Sequence, residues 1–170
     1  EMALAVDGAS QHQIFKVTSN VNITLQNLAV KNGYCANEGV CNGAAIQISA
    51  GKLTISHASF LNNSITGNSQ GGAINASNIE LDIDHAYFYG NHNGGWGGAI
   101  VLSNGSLNLS FTRMEENSAS IGGAIHVSGD AATANIHDCT FTHNHASGFG
   151  GAISTWDHAQ LGIANCTFDS

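Results

Sequence analysis

Proline is absent from this 170-residue chain, and only four residues are Lys or Arg against twelve Asp or Glu. The formal net charge is −8. So few cations leave no patch to neutralise phosphates, which argues against nucleic acid and against anionic membrane surfaces as partners. Charged residues make up 9% of the chain, far below the quarter usual in globular proteins. No apolar run approaches the ~20 residues of a spanning helix, and helical periodicity is missing throughout. No signal peptide is visible, and the chain begins at Glu1. It reads as a mature or excised piece of a longer product.

What is abundant is Gly (21) and Asn (19), with 42% hydrophobic residues. That mixture suits short strands joined by many tight turns, where Gly and Asn supply left-handed backbone. It is not the composition of a disordered chain.

The dominant feature is a repeat. The tetrapeptide GGAI stands at 71–74, 97–100, 122–125 and 150–153, and GAAI at 43–46. A second motif keeps step with it: LTISHASFLNN (53–63), LDIDHAYFYGN (81–91), LNLSFTRMEEN (107–117) and ANIHDCTFTHN (134–144). In register, Val30, Phe60, Phe88, Met114, Phe141 and Phe168 align, and Asn63, Asn91, Asn117 and Asn144 follow. Each unit holds three short apolar segments that alternate with period two, the pattern of strands with one buried face.

A unit of this size cannot bury its apolar face alone, so the units must coil and stack. We therefore expect an all-β, right-handed parallel β-helix, with three short strands per coil and the hand set by the crossover preference. It spans residues 1–170 as one domain of about six coils, beginning near 15, 46, 74, 100, 125 and 153, within a longer chain or stack. Coils ~4.8 Å apart make a rod ~25–30 Å long.

In this frame the glycine pairs Gly71/Gly72, Gly97/Gly98, Gly122/Gly123 and Gly150/Gly151 are structural. They serve either a positive φ or a close approach to the next coil. The Asn residues at 63, 91, 117 and 144 are expected to form a ladder that satisfies buried turn groups. Cys35 and Cys41 are expected to close their loop with a disulfide. Cys139 and Cys166 share one inward position, and either a disulfide or two buried thiols fits it.

Chemistry is hard to find. Nine His lack zinc-like spacing, and no metal site is expected. His57 and His85 should stack on a turn. Asp82 and Asp84, beside Glu80, read either as a solvated face with incidental calcium or as the carboxylates of a carbohydrate-active β-helix enzyme. Neighbouring coils add no further carboxylate or base there, so neither a cofactor nor catalysis is expected. Recognition is better sought in what differs between coils: the 32–43 insertion with Tyr34, the 90–98 loop with His92 and Trp96, and Trp156. Each Trp fits either an exposed anchor or a cover over a loop.

The alternation of GGAI with FxxN, in FLNN, FYGN and FTHN, resembles the chlamydial polymorphic membrane proteins over roughly residues 20–170. MEEN departs from it at the aromatic. The resemblance implies the passenger of an autotransporter, displayed at the bacterial outer membrane and used in adhesion. Expected partners are then a host-cell receptor or glycan. The alternative is a structural subunit that meets copies of itself end to end in an extracellular filament, because an open solenoid end has unpaired strand edges.

Overall fold

A computed structural model describes residues 4–36 and 41–169. Residues 37–40 of the Cys35–Cys41 insertion lie outside the described residues. Among the described residues every element is a strand, and each pairing is parallel, one coil to the next. The chain is a β-solenoid of about six turns.

Three sheets run along it. The aromatic sheet has seven strands in the order Leu4–Asp7, Leu28–Lys31, Ser59–Leu61, Tyr87–Tyr89, Arg113–Glu115, Thr140–Thr142 and Thr167–Asp169. A ten-stranded long sheet combines the first two apolar segments of every unit. In two coils these fuse into single strands, Ile74–Asp84 and Ile100–Ser110. A short sheet of five strands comprises Tyr34–Cys35, Ser64–Ile65, His92–Asn93, Ser118–Ile121 and His145–Phe149.

The boundaries of the segments differ from those expected. Segments one and two belong to one sheet, and the short sheet arises from residues that read as loop. The reason is physical. Two to five residues of strand carry too little alternation to stand out in sequence, yet a neighbouring coil in register pairs their backbone.

The core is a set of ladders. Phe15, Ile46, Ile74, Ile100, Ile125 and Ile153 pair in turn on the long sheet. Phe60 stacks on Phe88 with centroids 4.8 Å apart, and Phe141 on Phe168 at the same distance. Met114 lies between the two aromatic pairs in register. This unbranched side chain fills the aromatic position and is fully buried.

The two roles offered for the glycine pairs are divided between their members. The first glycine of each pair takes the positive φ: Gly71 at +69°, Gly97 at +65°, Gly122 at +66° and Gly150 at +66°. The second does not. Gly72, Gly98 and Gly123 have ordinary backbone, and what each needs is room. A Cβ on Gly72 would overlap the carbonyl oxygen of Gly98, one on Gly98 that of Gly123, and one on Gly123 that of Gly151. Gly151 lies on the last coil of the described residues. A Cβ there would meet Asn144 O at 3.6 Å, an ordinary contact, because among the described residues no further coil lies against it.

The Asn ladder is continuous. The Nδ2 of Asn63 donates to Asn91 Oδ1 (3.0 Å), Asn91 to Asn117 (2.9 Å) and Asn117 to Asn144 (2.9 Å). Each Nδ2 also donates backwards to the carbonyl at the aromatic position: Val30, Phe60, Phe88 and Met114. Each Oδ1 from Asn91 onward also accepts the backbone N–H of the preceding Asn at 3.1 Å. The left-handed turn itself falls one residue earlier, at Asn62, Gly90, Glu116 and His143. The ladder Asn is thus a buried hydrogen-bonding post beside the turn.

Cys35 and Cys41 are joined by a disulfide. Cys139 and Cys166 are not: both are free thiols. Each Sγ instead donates to main-chain oxygens, Cys139 to His137 at 3.2 Å and Cys166 to Ala164 at 3.2 Å. Burial pushes the Cys139 thiol up to about 11, so it stays protonated and inert.

Candidate functional site

The coils stack regularly, so a site must come from departures in the pattern. One such departure brings together two residues sixty positions apart. Trp96 belongs to the segment GGWGG, whose glycines let the loop lie flat on the coil before it. A Cβ at Gly94 or Gly95 would strike the carbonyls of Gly67 or Ser69. Asn93 is fully buried and fixes this loop. Its Nδ2 donates to Ser69 O (2.9 Å) and Trp96 O (2.6 Å), and its Oδ1 accepts from Gly95 N (3.1 Å). Trp156 follows the strand Ile153–Thr155, and its N–H donates to Val127 O.

Both indoles pack against His126. Its ring lies 5.7 Å from Trp96 and 5.4 Å from Trp156, and the indoles themselves are 5.7 Å apart, edge to face. His126 is 1% exposed, whereas Trp156 is 41% exposed and Trp96 is half-buried. The two roles offered for the Trp residues are thus shared. Trp96 packs over His126, and Trp156 presents much of its surface to solvent. His126 Nδ1 is 2.8 Å from Ser154 Oγ. His126 is visible in the sequence, in AIHVS directly after a glycine pair. It points away from the coil interior, however, and is covered there by Trp96 and Trp156.

Burial of the His126 imidazole depresses its pKa below the ordinary 6.5, and the nearby Asp157 opposes this only in part. The folded state therefore holds His126 neutral, while the unfolded chain takes up a proton near 6.5. Stability from this group is complete above that pH and is lost as pH falls through it. The melting temperature of the native protein should drop between about pH 7 and pH 5 by more than that of a His126→Gln variant. Equal slopes in the two proteins would show that His126 does not titrate on unfolding.

Tyr34 and His92 do not join this cluster. They share the short sheet, with Ser64 paired between them. His92 Nδ1 contacts Ser118 Oγ at 2.9 Å. Tyr34 and His92 thus form a separate polar strip.

On the long sheet, Asp82 and Asp84 are engaged by protein groups. Lys52 Nζ reaches Asp82 (2.6 Å) and Glu80 (2.8 Å), and Asn108 donates to Asp82. Asp84 accepts from Ser110 Oγ at 2.6 Å and meets His85 Nδ1 at 2.7 Å. These bonds hold the Asp84 carboxyl below the usual carboxylate range, Ser110 contributing most. Among the described residues no group of three or more His, Cys, Asp or Glu is arranged to hold a metal ion.

The other corner of the coil carries a second stack. His57 and His85 lie face to face at 5.0 Å, and Phe111 continues the stack at 4.9 Å. An open groove of about 890 Å³ runs beside it.

Fold and surface together define a parallel β-solenoid repeat protein with aromatic clusters on an otherwise polar exterior. Within it, residues 138–155 match the Chlamydia polymorphic membrane protein (Chlamydia_PMP) repeat. That stretch contains one FTHN and one GGAI motif. The chain is also 27% identical over 149 residues to "Metabotropic glutamate receptor-like protein R" of Dictyostelium discoideum. The alignment covers 88% of this chain, and the chain spans about 9% of that relative's length. No solved structure matches. Among the described residues no helix is long and apolar enough to cross a membrane.

Proposed function

We propose that this chain is a non-catalytic, extracellular or cell-surface β-helix module that acts as an adhesin-like binding scaffold. The observation that carries the reading is the Trp96–His126–Trp156 cluster. A rigid solenoid holds a half-buried indole edge to face with a more exposed one, and a pre-organised aromatic of this kind is a typical binding anchor. The similarity to a surface-protein repeat supports the location, and the receptor-like name of the Dictyostelium relative is compatible with it. The partner would be a host-cell receptor or glycan.

The test is adhesion of fluorescently labelled protein to cultured animal cells, read by flow cytometry. Trp156→Ala removes the exposed anchor and should reduce cell-bound signal at least tenfold, as truncating a central aromatic of an interface does. Undiminished binding by a folded Trp156→Ala protein would remove this cluster from the account.

End-to-end stacking is favoured by a different observation. Leu161, Ile163 and Phe168 on the last coil, and Leu4 and Val21 on the first strands, are large apolar residues left exposed. All but Val21, which pairs with Gly51, continue the core ladders, and a further coil, whether of a longer chain or of a neighbouring copy, would bury them.

A further inference from the structure

The turn between the long sheet and the aromatic sheet places one residue per coil in left-handed backbone: Asn27, His57, His85, Phe111, Asp138 and Asn165. Five of these are Asn, Asp or His, the types that tolerate this conformation best. Phe111 is the exception, at φ +45°. A bulky aromatic in left-handed backbone is strained, and strain of this kind concentrates at functional positions. Burial does not account for it, because Phe111 is 53% exposed. Its ring stacks on His85 and makes an edge contact with His137.

Phe111 ends one wall of the groove. That wall is the column of ring edges from His57, His85 and Phe111, one per coil. The floor is made of the small side chains Ala58 and Ala86, with the larger Leu28 and Leu4 lining the groove toward the first strands. The opposite wall carries Tyr87 and Arg113, the guanidinium lying 5.8 Å from the Tyr87 ring. Arg113 is the chain's single arginine, and Glu115 both pairs with it and accepts a 2.7 Å hydrogen bond from the Tyr87 hydroxyl.

We infer that this corner groove binds an extended oligosaccharide lying along the solenoid axis, with Phe111 as its apolar contact and the His57, His85 and Arg113 edges meeting hydroxyls. The inference rests on the scaffold reading above but uses a different surface. Two features favour a glycan over a peptide. The backbone around the groove is already paired coil to coil: His57 and His85 donate to Asp84 O and Ser110 O, and Tyr87 and Arg113 to Ala58 O and Ala86 O. No strand edge is left there for a peptide to extend. The recognition groups also recur once per coil, ~4.8 Å apart, out of phase with the ~3.3 Å rise of an extended peptide. That interval is close to the length of one pyranose ring.

The experiment uses a printed array of neutral and acidic oligosaccharides, with the native protein and a Phe111→Asn variant, and thermal melting of both. Asn restores the turn chemistry of the other coils. The variant should therefore melt at the same temperature or higher, yet lose array signal at least tenfold. A lower melting temperature for Phe111→Asn would make Phe111 a structural residue and overturn the inference. Retained array signal in the variant would overturn it as well. Absence of any signal from the native protein would also overturn it, while Trp156-dependent cell adhesion would then leave the scaffold reading standing.

Discussion

A Gly98→Val protein is expected to lose at least about 4 kcal/mol of stability, a loss confined to a few named mechanisms such as backbone overpacking. Gly98 has ordinary backbone, so its own conformation is not the obstacle. The obstacle is the next coil. Any Cβ would overlap Gly123 O and stand 2.6 and 2.7 Å from Ser118 N and O. Those atoms are main chain, in segments that are paired coil to coil. Gly98 N donates to Gly122 O at 3.1 Å, and Ser118 N to Asn91 O at 3.0 Å. Relief would require two coils to part, and parting them breaks the parallel ladder on either side. Val adds two methyls to that clash. Far-UV circular dichroism during heating would show a transition at least ~8 °C lower, given about 2–4 °C per kcal/mol at this chain length. A native-like melt would mean that the coils are spaced more widely than described here.

Asn117→Ala is the second large effect. It strips four hydrogen bonds from a fully buried site: two donated by Nδ2, to Phe88 O and Asn144 Oδ1, and two accepted by Oδ1, from Asn91 N and Nδ2. Each buried partner left unsatisfied costs about 1–3 kcal/mol, less where water enters the space, so a total of roughly 3–5 kcal/mol is expected. Asn117→Asp separates the ladder from mere volume. It keeps the acceptor, removes both donors, and buries a charge against two oxygens. Burial would raise the folded pKa of the new carboxyl above its unfolded value, so the destabilisation grows as pH rises and is relieved in acid. Urea unfolding of both variants at about pH 7 and pH 4 checks this. If Asn117→Asp were no less stable than Asn117→Ala at neutral pH, a closed ladder would be ruled out.

Much of this architecture is legible in the letters. The Ile and aromatic ladders follow directly from the repeat, because stacking equivalent positions is the only way such units bury their apolar faces. The Asn ladder is likewise visible as a column. Other parts are not. The short sheet consists of two- to five-residue strands whose pairing comes from the coil above, not from their own pattern. The glycine pairs read alike in sequence, yet Gly71 answers a need for positive φ and Gly72 a need for space, and only the stack separates the two. The free state of Cys139 and Cys166 depends on geometry within the stack that spacing alone leaves open. Trp96 and Trp156 can each be picked out as unusual, but nothing in sequence joins residues sixty apart through His126. Phe111 is recoverable by aligning the turn column, where one aromatic stands among Asn, Asp and His. Reading the repeat for its agreements passes over it.

In the proposed function labour is divided: repeated residues hold the solenoid, and residues that differ between coils bind. The most direct measurement sets melting temperature beside cell adhesion for Trp156→Ala. A melting temperature within a few degrees of the native protein is expected, since Trp156 lies at the surface, 41% exposed, together with at least a tenfold loss of adhesion. A protein that melts normally and adheres fully would contradict it, and so would one that loses adhesion only because it no longer folds.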